Sequence, residues 1–227
     1  RQSRKSDELK SLLSQGAVKY KNALEKLDFR GVNMKDQVLS RRVLNGAKFQ
    51  KVDFTGSKFN GAKLTAVNAD GAIFKNCEFK KAILIICEFK KCNFTNTNFE
   101  GLTANSCNFR LAKFSRELPL TRGIIPLFKN ASFTDCDLRA ALFFGVRLSL
   151  SLFKECNLEK AAFANIDINP VGMQILNCDL DNVLFQDSSI LLPYIQFNAQ
   201  YRNGGLKTIK NMKIVNTKTR QTIHQAV

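Results

Sequence analysis

From Phe29 to Phe114 every fifth residue is Phe, Leu or Met, with only Ala69 and Ala104 departing. The row resumes one step out of phase at Phe128, Phe133, Leu138, Phe143, Leu148, Phe153, Leu158, Phe163, Ile168 and Met173, and again at Leu180, Phe185, Ile190 and Ile195. Seventeen of the nineteen phenylalanines fall on it. A helix face recurs about every 3.6 residues and a strand face every two, so a period of five fits neither. Such a chain is a stack of short repeats.

Two residues before each large apolar centre sits a smaller side chain: Ala47, Val52, Ser57, Ala62, Val67, Ala72, Cys77, Ala82 and Cys87 in the first half alone. Large and small inward residues two apart are what one pleated edge supplies. The remaining positions are mostly Lys, Asn, Asp, Glu, Thr and Gly. Two positions after the centre, Gly31, Gly46, Gly56, Gly61, Gly71, Gly101 and Gly145 alternate with Asn76, Asn96, Asn165 and Asn182. Gly and Asn tolerate positive φ, so this slot is a tight corner. A chain that turns every five residues with one side apolar closes into a square coil of four pentapeptides.

The triplets Cys107-Asn108-Phe109, Cys136-Asp137-Leu138, Cys156-Asn157-Leu158 and Cys178-Asp179-Leu180 resemble the motif of the pentapeptide-repeat proteins. The resemblance covers Phe29 to about Ile195 and implies an all-β solenoid, a right-handed quadrilateral β-helix of about eight coils. Residues 1–28 are expected to form a helical N-terminal cap, with Leu9, Leu12, Leu13, Val18, Leu24 and Leu27 inward and a break at Gly16. Residues 29–198 form the β-helix, and 199–227 an irregular or helical tail, or the start of another domain. Gln37 and Arg42 occupy small-inward positions, so residues 29–44 read as a transition coil. The repeat is interrupted at 115–127, a proline- and aliphatic-rich loop, and is two residues too long over 169–177. No apolar run reaches the length of a membrane helix. Arg1 in place of an initiator Met and the lack of a signal pattern suggest a segment of a longer protein.

All seven cysteines occupy the small-inward slot, and there is no Cys-x-x-Cys, so they read as buried packing residues rather than a zinc site. Unpaired thiols suit a reducing compartment: the cytoplasm of a bacterium, or the host cytosol for a secreted effector. His224 stands alone in the tail, and no phosphate loop or nucleophile motif is present. We expect no catalytic residue, metal or cofactor.

Residues twenty apart share a face of the square. Face one follows centres 29, 49 and 69, with Lys48, Lys51, Lys90 and Lys91 outward. Face three follows 39, 59 and 79, with Lys58, Lys80 and Lys81. Both read as basic, in keeping with the net charge of +16. Face four breaks the polar rule: around Leu84 its outward residues are Ile83, Ile85 and Ile86. Leu142, Phe144, Leu150 and Leu152 break the rule again. If 115–127 replaces two irregular faces, Phe143 also falls on face four and the two patches align. The expected partner surface is then Ile83, Ile85, Ile86, Leu142 and Phe144, with Leu120, Ile124 and Ile125 of the loop nearby.

Three functions compete. The first is a protein-interaction scaffold, open to homodimerisation. Similar β-helices entered by an N-terminal helix precede the catalytic part of bacterial HECT-like ligase effectors and select host proteins. The second is binding of nucleic acid or anionic membrane through the basic faces. The third, the gyrase-engaging DNA mimicry of the family's quinolone-resistance branch, requires an acidic rod, which a charge of +16 opposes.

Overall fold

A computed structural model of the chain describes residues 7–9, 11, 26–117, 127–166, 173–186, 196–198, 213–216 and 221–224. These form an all-β parallel solenoid. Each coil is a square whose sides are one pentapeptide long, and partners on adjacent coils lie twenty residues apart, as Asp28 with Lys48, Lys48 with Asn68 and Asn68 with Glu88. The ladder bonds run in both directions: Phe49 N–H donates to Asn68 C=O at 2.7 Å, and Lys48 N–H to Leu27 C=O at 2.8 Å. Residues 29–44 are already in this register, with Phe29, Met34, Leu39 and Leu44 each donating to the second coil. The transition coil expected there is therefore regular.

Corners explain the five-residue period. Along the described coils the residue two after a centre has positive φ, including all seven of the glycines and all four of the asparagines named above; Arg116, where the chain leaves face two, is the exception. Most corners close with a bond from the residue three after the centre, as Val52 N–H to Phe49 C=O at 3.0 Å, which makes a β-turn whose second corner residue needs a left-handed backbone. Some of these carbonyls accept again from the next coil: Cys77 Sγ donates to Phe54 C=O at 3.0 Å and Cys92 Sγ to Ala69 C=O at 2.9 Å. At the Met34 corner Ser57 Oγ stands in for the closing bond, accepting from Gln37 N–H at 2.9 Å and donating to Met34 C=O at 2.7 Å. A small side chain carrying a donor suits this slot, because it satisfies a buried carbonyl without filling the shaft.

Inside, the centres are buried without exception along the described coils, Ala69 and Ala104 included. On face two the rings of Phe54, Phe74, Phe94, Phe114, Phe143, Phe163 and Phe185 stack in one column with successive centroids 4.7–5.2 Å apart. That spacing is the rise between coils.

Two insertions interrupt the count without breaking the stack. Asn108 pairs with Asp137, a separation of 29 in place of 20, so nine extra residues leave at the corner between faces two and three. Asn157 pairs with Asp179, two residues over, in line with the expected 169–177 irregularity. After this second insertion the centre is Ile175, paired with Phe153, and Met173 takes the small-inward slot. Phe197, not Ile195, continues this line in register with Ile175.

Face four is a seven-stranded parallel sheet built from Lys63–Thr65, Ile83–Ile85, Thr103–Asn105, Ser132–Thr134, Leu152–Lys154, Gln174–Leu176 and Gln196–Asn198. Face two carries a second sheet from Lys113–Ser115 through Leu142–Phe144, Ala162–Ala164 and Leu184–Gln186. Lys213–Asn216 adds to it in parallel, and Gln221–His224 folds back antiparallel on that strand. The tail thus supplies strands here, not the helix its apolar spacing suggested: the open edge at Leu184–Gln186 offers unpaired backbone groups that a strand satisfies and a helix cannot. At the other end residues 7–9 and 11 are helical, and Leu9 is buried with the core. The remaining residues expected in that cap, from Leu12 to Leu24, lie outside the described residues, as do Leu120, Ile124 and Ile125.

Two outcomes follow from this packing. Phe94 lies within 6.2 Å of six other rings, those of Phe74, Phe79, Phe89, Phe99, Phe109 and Phe114. Phe94→Ala should cost about 3–5 kcal/mol in urea denaturation. Burial pushes the Cys77 thiol up to about 12 from its ordinary value near 9. The unfolded chain therefore releases this proton first, and the stability that the buried thiol contributes is intact below pH 9 and falls between about pH 9 and 12. Denaturation midpoints compared across that range for the protein and for Cys77→Ala should diverge less as pH rises.

Candidate partner-binding surface

The strand Ile83–Ile85 presents Ile83 and Ile85 outward while Leu84 fills the shaft. Ile83 is 41% exposed, and Ile86 at the following corner is 62% exposed. Around them face four carries Thr65, Ala66, Thr103, Asn105, Ser106, Ser132 and Thr134. Over the same coils the charged outward side chains of this face are Lys63, in register with Ile83, and Asp135, at the corner equivalent to Ile86, with Lys154 on the strand that follows. In a chain of net charge +16, this is a flat, neutral, partly apolar sheet surface.

Ile86 is also conformationally costly. Its φ is 54°, the left-handed region that a β-branched side chain resists. The corresponding corners on adjacent coils hold Ala66 and Ser106. A residue that is both exposed and strained contributes nothing evident to folding, which sets Ile86 apart from the other isoleucines of the patch.

The corner beneath Ile86 also shows what the sequence reading missed. After the first coil, where Ala47 N–H still donates to Leu44 C=O at 3.4 Å, the turns after face four lack the closing bond, and the N–H finds a sulfur instead: Cys87 N–H donates to Cys107 Sγ at 3.4 Å, and Cys156 N–H to Cys178 Sγ at 3.4 Å. Cys87, Cys107, Cys136, Cys156 and Cys178 form a single column of thiols along face one, each coil's sulfur meeting the next. The twenty-residue spacings Cys87–Cys107 and Cys136–Cys156 were the legible signal, and the nine-residue insertion hid their continuity. Desolvation pushes Cys92 and Cys156 up. Hydrogen bonds from Cys136 and Cys87 favour charge on Cys107, but a thiolate there would sit in an apolar shaft, so burial governs and the column stays protonated. Among the described residues no group of His, Cys, Asp and Glu is arranged to hold a metal ion.

Leu142 and Phe144 of the second apolar patch do not join the first, whereas Leu152 points outward on face four in register with Ser132. Leu142–Phe144 stacks on Lys113–Ser115, which places Leu142 and Phe144 on face two, opposite face four. The alignment expected from the sequence fails because the 115–127 excursion replaces no face at all. It leaves after face two and re-enters at face three, where Phe99 N–H donates to Leu127 C=O at 2.8 Å.

Charge also separates by face. On face one the lysines are interleaved with carboxylates: Lys90 pairs with Glu88 at 2.9 Å and faces Asp70, Arg30 pairs with Asp28 and Arg139 with Asp137. Lys48, Lys51 and Lys91 are exposed on this mixed surface. On face three Arg41, Lys58, Lys80, Lys81, Lys129 and Arg147 outnumber Glu78 and Glu100, and Lys58 meets Glu78 at 3.8 Å. Face three is the basic one. No helix among the described residues is long and apolar enough to cross a membrane.

The repeat family and one solved structure, trypsin-treated QnrB1, agree with this geometry. A family model for pentapeptide repeats matches residues 28–65 and 57–96. Among solved structures the chain is similar to trypsin-treated QnrB1, a plasmid-mediated fluoroquinolone resistance protein. The TM-score is 0.64 at 14% identity, over 86% of this chain and 92% of that one. It is also similar to HetL, a pentapeptide repeat protein involved in heterocyst differentiation regulation from the cyanobacterium Nostoc sp. strain PCC 7120, with TM-score 0.33 at 14% identity over 83% and 87%. No curated protein matches the chain.

Because Ile86 is strained in its corner, Ile86→Gly should raise stability by about 1 kcal/mol in chemical denaturation.

Proposed function

Since this chain is a pentapeptide-repeat protein, we propose that it is a non-enzymatic interaction scaffold that recognises another protein through face four. It would act as the partner- or substrate-selecting segment of a larger polypeptide, of the kind bacterial effectors carry. The observation that carries this reading is Ile86, exposed and held at positive φ beside Ile83 and Ile85 on a sheet whose nearest charge is Lys63, in register with Ile83. Solvent-exposed apolar clusters of this kind mark contact surfaces, and a rigid sheet loses little entropy on docking. A homodimer through the same face is the simplest partner of matching chemistry.

A second reading rests on face three. Its excess of Arg and Lys would attract nucleic acid or an anionic membrane. Glu78 and Glu100 dilute it, and the described residues place no outward aromatic there for bases to stack upon.

Replacing Ile83 and Ile86 together by Glu should abolish partner capture, or dimerisation in sedimentation, while circular dichroism and the denaturation midpoint stay unchanged. Partner capture that persists in this double variant sinks the face-four reading. A steep loss of DNA, RNA or anionic-vesicle binding between low and physiological salt, removed by Lys80→Gln with Lys81→Gln, would support face three instead.

A further inference from the structure

Face two carries a groove of about 450 Å³ that lies opposite the isoleucine patch and is independent of it. Its floor is the hydroxyl pair of Thr95 and Ser115, whose oxygens are 2.9 Å apart. Leu142 and Phe144 form an apolar side on the next coil. At one end Lys75 pairs with Glu117, and Glu117 N–H donates to Asn96 Oδ1 at 3.1 Å. Lys113 and Arg116 also line the groove.

Arg116 is seated for this position. Its backbone N–H donates to Phe144 C=O at 3.1 Å. Its side chain lies over Gly145, where an added Cβ would come within 3.4 Å of both Arg116 Cβ and Nε. The Nε–H is buried and has no hydrogen-bond partner among the described residues. A buried guanidinium donor without an acceptor is costly, and a planar fork of such donors matches a carboxylate.

Glu117 shows which chemistry the groove accepts. Its carboxyl is held below the usual range by the hydrogen bond from Lys75. Lys75 is thereby matched and the charge of Lys113 also acts on the Glu117 carboxyl, which leaves Arg116 as the principal cation of a groove whose other wall is Leu142 and Phe144. A hydrated inorganic anion gains nothing from that wall.

We propose that this groove binds an organic carboxylate bearing an adjacent aliphatic or aromatic group, the carboxylate on Arg116 and the apolar group on Phe144. The carboxylate has two possible sources, a free small-molecule acid or the C-terminal residue of a peptide. Both fit a groove of this size.

The test titrates the 227-residue chain with 4-phenylbutyrate, acetate and inorganic phosphate, followed by NMR and calorimetry. Phenylbutyrate should saturate and bind at least about tenfold more tightly than acetate or phosphate. Arg116→Gln should weaken it about tenfold or more, Arg116→Lys should do nearly the same because the fork is lost while charge remains, and Phe144→Ser should erase the preference over acetate. Circular dichroism identifies any variant that misfolds, and the Arg116→Lys result then stands alone. An N-acetylated tripeptide ending in Phe, compared with its C-terminal amide, separates the sources: tighter binding of the peptide acid than of phenylbutyrate assigns a chain terminus, and the reverse assigns a free acid. Absence of saturation, equal affinity for all three anions, or indifference to both Arg116 variants overturns the proposal.

Discussion

The twenty-residue backbone register is the constraint on which everything else in this molecule depends. Each coil satisfies its peptide groups only through the coils above and below, so a slip of one residue would unpair a ladder and turn a ring outward. The Phe column on face two reports the same register in side chains. Its rings of Phe114 and Phe143 are 4.8 Å apart across the nine-residue insertion, as close as pairs without one. The excursion is tolerated because both its ends meet the ladder in phase, and loop closure costs little for added length.

The register also sorts surface chemistry. Outward residues twenty apart are neighbours on one face, so a composition that is only broadly basic along the chain becomes distinct surfaces on the rod. Face one interleaves Lys90 and Arg139 with Glu88 and Asp137. Exposed pairs of this kind add little stability, but they neutralise the face. Face three keeps its cations in excess, and face four between Val43 and Thr134 keeps almost no charge at all. Such partition is a consequence of geometry acting on sequence.

Much of this was readable before any coordinates. The row of centres, the small-inward slot and the Gly/Asn corner each follow from one period, and each is local. What could not be read depends on how far an irregular segment advances the chain around the square. The fourteen-residue step from Phe114 to Phe128 is close to three pentapeptides, and counting it as faces placed Phe143 beside Leu84. The register of the coils on either side instead counts nine of its residues as no face, which moves Leu142 and Phe144 half a turn away. The cysteine column was hidden by the same offset. In the tail, Leu206, Ile209, Met212 and Val215 have a helical spacing, yet Lys213–Asn216 is a strand because an open sheet edge dictates its partner more strongly than local periodicity does.

The half-turn has a functional consequence. Two apolar surfaces on the same side of a rigid rod would form one continuous footprint, and a single flat partner could cover both. On opposite faces they cannot be covered by one such partner without wrapping the rod. The surfaces also differ in kind: Ile83, Ile85 and Ile86 stand on a flat neutral sheet, whereas Leu142 and Phe144 wall a groove with Arg116 and Lys113. A flat neutral sheet suits a large apolar contact, and a cationic groove suits a small charged one. The solenoid, by committing its interior wholly to packing, leaves its four outer faces to differ.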